Sequence, residues 1–200
     1  MTSASFDSLP LTEALRGNLA SLGYSAMTPI QAESLPHLLA GRDLVGQAQT
    51  GSGKTAAFAL SILQQLDPGR FNCQALVLCP TRELAAQVAE EFRKLATPLP
   101  NIKIITLCGG TPIGPQKASL EHGTHVIVGT PGRIDDHLRK GTLRLNRLRT
   151  LVLDEADRML DMGFIDSISG IIRQTPDHRQ TLLFSATFPD DIERLSKEFQ

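Results

Sequence analysis

Eight consecutive residues, Ala48, Gln49, Thr50, Gly51, Ser52, Gly53, Lys54 and Thr55, have the types needed to hold a polyphosphate. Gly51 and Gly53 allow backbone conformations that aim several N–H groups into one concavity, and a helix opening behind them adds its N-terminal dipole. Lys54 offers a point charge to the β- and γ-phosphates, and the Thr55 hydroxyl can ligate magnesium. A Gly-rich turn before a helix can also be a plain connection. Here it follows an apolar run directly and leads into helical spacing, the context a phosphate cradle requires. A second set lies further on, where Thr150, Leu151, Val152 and Leu153 run into Asp154, Glu155, Ala156 and Asp157. A carboxylate at the C-terminal tip of a buried strand sits on the sheet edge where α/β ligands bind. Asp154 is then placed to hold magnesium, directly or through water, and Glu155 to orient and deprotonate a water. An isolated acidic strand end is also a common helix N-cap. The phosphate loop upstream makes two halves of one ATP site the more specific reading.

These residues need a frame. Apolar runs recur at Asp43 to Val45, Ala75 to Cys79, Ile102 to Leu107, His125 to Val128, Thr150 to Leu153 and Thr181 to Phe184. They are rich in Val, Ile and Leu and do not alternate with polar residues, as expected of strands buried on both faces. Between them, Thr55 to Leu66 and Arg82 to Leu95 carry apolar residues at helical spacing. Strands alternating with helices predict βαβ units and a mostly parallel sheet with helices on both faces. A helix from about Leu11 to Leu22 and a turn at Gly23 make the first thirty residues read as a separate piece. Pro189 suits a helix start, and Asp191 to Gln200 stay helical in pattern with no stop signal, as though the chain continued.

Composition sets limits. The 200 residues suffice for one domain with a full core, and with 41 % apolar but only 4 % aromatic residues that core is predicted to be aliphatic. The net charge of −1 gives no global attraction to nucleic acid, so any phosphate-backbone contact must come from a few placed donors. Cys73, Cys79 and Cys108 lack zinc-ligand spacing, and two of them lie in or beside apolar runs, which suits buried thiols in a reducing compartment. Asp7 and Glu13 interrupt any signal-peptide pattern, and no run approaches the roughly 20 apolar residues that span a bilayer. The expectation is a cytoplasmic protein with no membrane partner.

Asp154 to Asp157, followed by Ser185, Ala186 and Thr187, resembles the DEAD-box RNA helicase family, and other stretches fall in that family's order. Pro80, Thr81, Arg82, Glu83, Leu84 and Ala85 resemble motif Ia; Gly109 and Gly110 the GG motif; Thr130, Pro131, Gly132 and Arg133 motif Ib. Gly23 to Gln31 resembles the adenine-reading Q motif, with Phe6 as its upstream aromatic. Two positions depart from the family pattern: Ala48 stands where the phosphate loop usually begins with Gly, and Met27 where the Q motif usually has Pro. The Tyr24 to Pro29 variant, Leu107 to Gly110 and Arg158 to Phe164 are most similar to the bacterial DbpA-type subgroup, which implies ribosomal RNA as target and ribosome assembly as setting.

The resemblance implies an α/β, RecA-like P-loop NTPase fold. Residues 1–31 would be an N-terminal extension with the Q motif and residues 32–200 the first RecA-like domain. A second RecA-like domain, not contained in these 200 residues, would supply arginines that complete the ATP site. ATP or ADP and Mg2+ are the implied cofactors, RNA backbone the implied partner. Phe6, Tyr24, Ala26 and Gln31 would hold adenine, Thr50 to Thr55 the phosphates, and Thr55, Asp154 and Glu155 the metal, with Lys54, Asp154 and Glu155 catalytic. The Gln31 amide can donate and accept at once, matching adenine N6 and N7. Pro80, Thr81, Arg82, Gly109, Gly110, Thr130, Pro131, Gly132 and Arg133 would contact RNA, reading backbone shape and the 2′-OH. Without the family, Arg133 could equally pair with an acid and cap a helix. Asp157, Ser185 and Thr187 would couple nucleotide state to RNA state. Two other readings stay open, a stand-alone nucleotide- or RNA-binding module and a DNA helicase or other P-loop ATPase.

Overall fold

The computed structural model describes residues 4–200. Six strands, β1 (Leu44–Gln47), β2 (Ala75–Leu78), β3 (Ile104–Leu107), β4 (Val126–Gly129), β5 (Thr150–Leu153) and β6 (Gln180–Ser185), form one sheet in the order β1-β6-β5-β2-β4-β3. Every pairing is parallel, in register Leu44↔Leu182, Ala75↔Val126, Ala75↔Thr150, Ile104↔Val126 and Thr150↔Gln180. Nine α-helices accompany them among the described residues: α1 (Glu13–Ser21), α2 (Pro29–Leu39), α3 (Lys54–Gln65), α4 (Arg82–Ala96), α5 (Ile113–Glu121), α6 (Pro131–Arg139), α7 (Ala156–Asp161), α8 (Ile165–Ile172) and α9 (Asp190–Phe199).

Alternate residues of the fully buried strands face opposite ways and feed two cores. Ala75, Val77, Val126, Val128, Val152 and Phe184 join α1 to α4 on one face. Leu76, Leu78, Ile127, Leu151, Leu153 and Leu183 join α6, α8 and α9 on the other. The first core is not wholly aliphatic, as composition had suggested. Phe58 of α3 lies 5.7 Å from Phe184 and 6.1 Å from Phe92 of α4 between ring centroids, so three aromatics cluster where these two helices meet the sheet. Nor is the stretch from Phe6 to Leu19 a separate piece. Phe6, Leu9, Leu11, Leu15 and Leu19 are buried in the same core as α3 and α4, and the Asn18 amide donates to the Lys94 carbonyl at 2.9 Å. An amphipathic helix beside a single domain has nowhere else to bury its apolar stripe.

Strand order decides what stands beside what. At the C-terminal edge, β1, β6 and β5 carry the phosphate loop, the Ser185–Thr187 stretch and the acidic strand end. The neighbouring β2, β4 and β3 carry the segments beginning at Pro80, Thr130 and Cys108. Two functional halves therefore lie side by side on one edge, meeting between β5 and β2.

Candidate functional site

Gly53 sits at φ 88° as the residue before α3, and Gly51 at φ 81°, so the phosphate loop uses the left-handed region that glycine adopts without strain. A Cβ at Gly53 would also meet the Gln31 Nε2 at 2.6 Å and the Thr28 Oγ1 at 2.8 Å. That close approach has a purpose. Thr28 caps α2 in a reciprocal box: its hydroxyl accepts from the Gln31 N–H at 3.4 Å, and the Gln31 Oε1 accepts from the Thr28 N–H at 2.9 Å. The Gln31 Nε2 then donates to the Gly53 carbonyl at 3.0 Å, tying the Q-motif helix to the phosphate loop. One N–H and one lone pair of the buried amide remain for a ligand.

Lys54 and Asp154 meet at the floor. Their Nζ and Oδ1 lie 3.0 Å apart, with side chains 5 % and 0 % exposed. Beyond this ion pair, the Lys54 ammonium, both Asp154 oxygens and the Ser52 hydroxyl are buried with no further hydrogen-bond partner. Burial raises the Asp154 carboxyl above the ordinary carboxylate value, and Lys54 offsets only part of that. A dry carboxylate and ammonium with unused hydrogen-bonding capacity are costly in isolation and suit a ligand that brings both anionic oxygens and a cation. Glu155 follows at φ 53°, ψ 53°, a left-handed conformation unusual for glutamate. Its Oε1 accepts from the Thr50 hydroxyl at 3.0 Å, joining phosphate loop to acidic strand end, while Oε2 faces the exposed Arg158 at 3.3 Å.

Above this floor opens a cleft of about 470 Å³ lined by Tyr24, Ala26, Gln31, Thr50, Gly51, Gly53, Lys54, Thr55 and Glu155, together with Gln87, Val88 and Glu91 of α4. Gln87 and Glu91 were not legible as site residues, because on α4 they look like ordinary solvent-face positions. The Tyr24 hydroxyl donates to Glu91, and burial followed by that carboxylate pushes the phenol well above its ordinary value. Phe6 does not line this cleft. It is 4 % exposed and meets Tyr24 edge to face, centroids 6.0 Å apart, bordering a smaller neighbouring cavity. The Met27 departure also finds a use: its N–H donates to the Ala4 carbonyl at 2.9 Å, a bond that proline at this position could not make.

Asp157 joins the loops that follow β5 and β6. Its Oδ2 accepts from the Thr187 hydroxyl at 2.9 Å and the Thr187 N–H at 3.1 Å. Ser185 closes the ring, its hydroxyl accepting from the Asp157 N–H at 3.2 Å and donating to the Thr187 carbonyl at 2.7 Å. Partial burial pushes the Asp157 carboxyl up, but the hydrogen bonds from Thr187, the Arg158 N–H and Ser185 outweigh it and hold the group below its usual range.

On the other half, Thr81 caps α4 through the Leu84 N–H at 3.2 Å. The exposed Arg82 guanidinium lies so close to Gly110 (φ 79°) that a Cβ there would meet its Nη1 at 2.3 Å. Arg82 makes no ion pair among the described residues, which leaves it free beside the glycine pair. Thr130 precedes α6 without a side-chain cap, leaving its hydroxyl uncommitted, and Gly132 is exposed. Arg133 differs. Both terminal nitrogens donate to the Thr111 carbonyl at 3.0 Å, Asp136 is 4.0 Å away, and the side chain is 13 % exposed. It holds a loop, so of the two arginines only Arg82 is an open donor. Pro80 and Pro131 are buried and shape the backbone.

The parallel sheet, Gly-Lys-Thr loop and acidic strand tip define a P-loop nucleotide-binding domain. Comparison with known proteins narrows the class. The family profile for DEAD/DEAH box helicase matches residues 28–195. The chain is 63 % identical over 183 residues to the ATP-dependent RNA helicase DbpA of Escherichia coli, covering 92 % of this chain and 40 % of that protein. It is 49 % identical over 194 residues to the DEAD-box ATP-dependent RNA helicase CshA of Bacillus cereus, covering 97 % and 37 %. A crystal structure of a DEAD box protein from Methanococcus jannaschii superposes with a TM-score of 0.94 at 40 % identity, covering 98 % of this chain and 53 % of that one. The chain belongs to the DEAD/DEAH box helicase family, and it spans well under half the length of the curated relatives it matches.

Proposed function

We propose that this chain is the ATP- and RNA-binding first RecA-like domain of an ATP-dependent RNA helicase that acts in the cytoplasm on ribosomal RNA. One observation carries the reading: a buried Lys54–Asp154 pair with unused hydrogen-bonding capacity shares a sheet edge with three loops, two of them containing glycine, that present the open Arg82 and Thr130 donors. In this reading Gln31 recognises adenine, Tyr24 and Ala26 flank the base, Thr50 to Thr55 take the phosphates, and Glu155 orients a water. Phe6 supports the base from behind Tyr24.

The donors also fit Mg2+. Among the described residues no cluster of three or more His, Cys, Asp or Glu side chains could hold a metal by itself. Magnesium prefers one or two carboxylates completed by phosphate oxygens and water. Thr55, Asp154 and, through water, Glu155 would hold it, and the ion would neutralise charge on the phosphates. On the RNA half, Arg82, Thr81 and Thr130 donate to phosphate oxygens, and the glycines let the backbone approach the strand. The Asp157–Ser185–Thr187 ring, on the nucleotide half beside that boundary, would couple nucleotide state to RNA state.

Nucleotide titration of residues 1–200, with and without single-stranded RNA and beside Gln31→Ala, tests the reading. Preference for adenine over guanine nucleotides is expected in the wild type and lost in the variant. Unchanged preference overturns the Gln31 assignment. In the full-length protein, stimulation by DNA as strong as by RNA favours a DNA helicase instead.

A further inference from the structure

Behind the two glycine-containing loops of the RNA half lies a polar network that joins Arg133 to residues outside the matched motifs. Its hub is Gln116 of α5. The Gln116 Nε2 donates to the Cys108 carbonyl at 3.0 Å and to the Thr111 hydroxyl at 3.1 Å. Its Oε1 accepts from the Arg133 Nη1 at 3.0 Å and stands 2.8 Å from the His137 Nε2. All four hydrogen-bonding positions of the amide are therefore used, which fixes its orientation and requires the His137 Nε2 to carry a hydrogen. His137 is 0 % exposed. Its Nδ1 lies 2.7 Å from the Thr142 hydroxyl, whose single hydrogen is within reach of both that nitrogen and the His137 carbonyl at 3.1 Å. A neutral imidazole satisfies every partner, and burial, then Arg133, lowers its basicity.

We propose that Gln116 and His137 are positioning residues for RNA, locking the Cys108–Thr111 loop and Arg133 into one rigid unit. The proposal rests on the RNA reading above. The loop containing Gly109 and Gly110 has little side-chain mass to hold it, so its path depends on hydrogen bonds at its ends. Gln116 holds Cys108 and Thr111, Arg133 holds the Thr111 carbonyl, and His137 fixes the Gln116 amide against both. Arg82, lying against Gly110, inherits its place from the same loop. A fully satisfied network built around a buried group such as His137 rigidifies, whereas a broken one leaves costly unpaired groups.

The test uses the full-length protein, measuring ATPase rate against RNA concentration for wild type, Gln116→Met, His137→Met and His137→Gln. The two methionine variants are expected to need about tenfold more RNA for half-maximal stimulation, the scale of hydrogen bonds lost around a charged group. Their KM for ATP and maximal rate at saturating RNA should stay near wild type. His137→Gln, whose amide nitrogen can reach toward the Nε2 position, is expected to recover most of the affinity. If a methionine variant does not fold, Gln116→Glu replaces it, keeping the acceptor for Arg133 and His137 but losing both donors. It too should need more RNA. Unchanged RNA dependence in all of these, beside a normally responding wild type, overturns the proposal alone. A loss of maximal rate and ATP affinity with RNA half-saturation unchanged does the same. A wild type that RNA does not stimulate overturns the RNA reading and this proposal with it.

Discussion

Glu155 shows what residue types alone conceal. Its place after Asp154 is visible in the sequence, but its backbone at φ 53°, ψ 53° is not, since nothing local demands it. A non-glycine residue held there costs about 1 kcal/mol or more and persists where the surroundings enforce it. Here the Thr50 hydroxyl on one oxygen and α7 starting at the next residue hold it. Glu155→Asn should therefore leave stability within about 0.5 kcal/mol of wild type, because asparagine tolerates this region, while hydrolysis in the full-length protein is lost. Chemical denaturation together with turnover checks this; a variant that still hydrolyses ATP normally removes Glu155 from the catalytic role. Asp157 gives a second residue-scale expectation. Replacing it with Asn should cost about 1 kcal/mol at neutral pH by weakening the hydrogen bonds from Thr187. Since folding lowers this carboxyl's pKa, its stabilisation is complete above about pH 4, its unfolded range, and is lost as pH falls through the lower folded value. The melting-temperature gap between wild type and Asp157→Asn should close on acidification; a gap independent of pH contradicts the assignment. Arg133 was ambiguous from sequence because its partner is a backbone carbonyl in a loop on another strand, which no spacing rule encodes.

Among the elements, the buried strands were legible because unbroken runs of Val, Ile and Leu have few other uses. The edge strand β1 was legible only in part. It reaches Gln47 rather than stopping at Val45, because its register against β6, Gly46↔Phe184 and Gln47↔Ser185, sets its length. Helix α5 carried no signal, since it buries no residue fully, and Gln116 anchors it by polar contacts instead. In α2, Pro36 reads as a breaker, yet it stands exposed within Pro29–Leu39. The joint between α2 and the phosphate loop was equally hidden. Separate motifs suggested adenine recognition by one and phosphate binding by the other, whereas the structure links them through Gln31 and Gly53. Gly53→Ala should break that link twice over, forcing a Cβ to within 2.6 Å of the Gln31 amide and placing alanine at positive φ. We expect a loss of about 1–3 kcal/mol in stability with nucleotide affinity falling alongside. Calorimetric melting and fluorescent-nucleotide binding test this, and a variant with wild-type values for both shows that the joint is slack.

For the whole molecule, the decisive quantity is charge in the cleft. Lys54 is the one cation among its lining residues, and its charge already faces Asp154, with Glu91 and Glu155 also in the wall. A nucleoside triphosphate brings several negative charges into this acidic surround, and charge that grows on the transferring phosphoryl oxygens needs preorganised cations to stabilise it. Magnesium would answer part of that need, and on the proposed reading a second domain answers the rest. The RNA half shows the same shortage, with Arg82 as its open guanidinium on a chain of net charge −1. Residues 1–200 should thus bind ADP or ATP weakly and hydrolyse ATP slowly, with little response to RNA. If the proposed second domain supplies cations to both halves, RNA should stimulate turnover strongly in the full-length protein. The comparison needs one coupled ATPase assay on the two proteins at matched magnesium and salt. Strong RNA stimulation of the 200-residue chain by itself would show that this cleft already holds every charge the reaction uses, and the second-domain reading would fall.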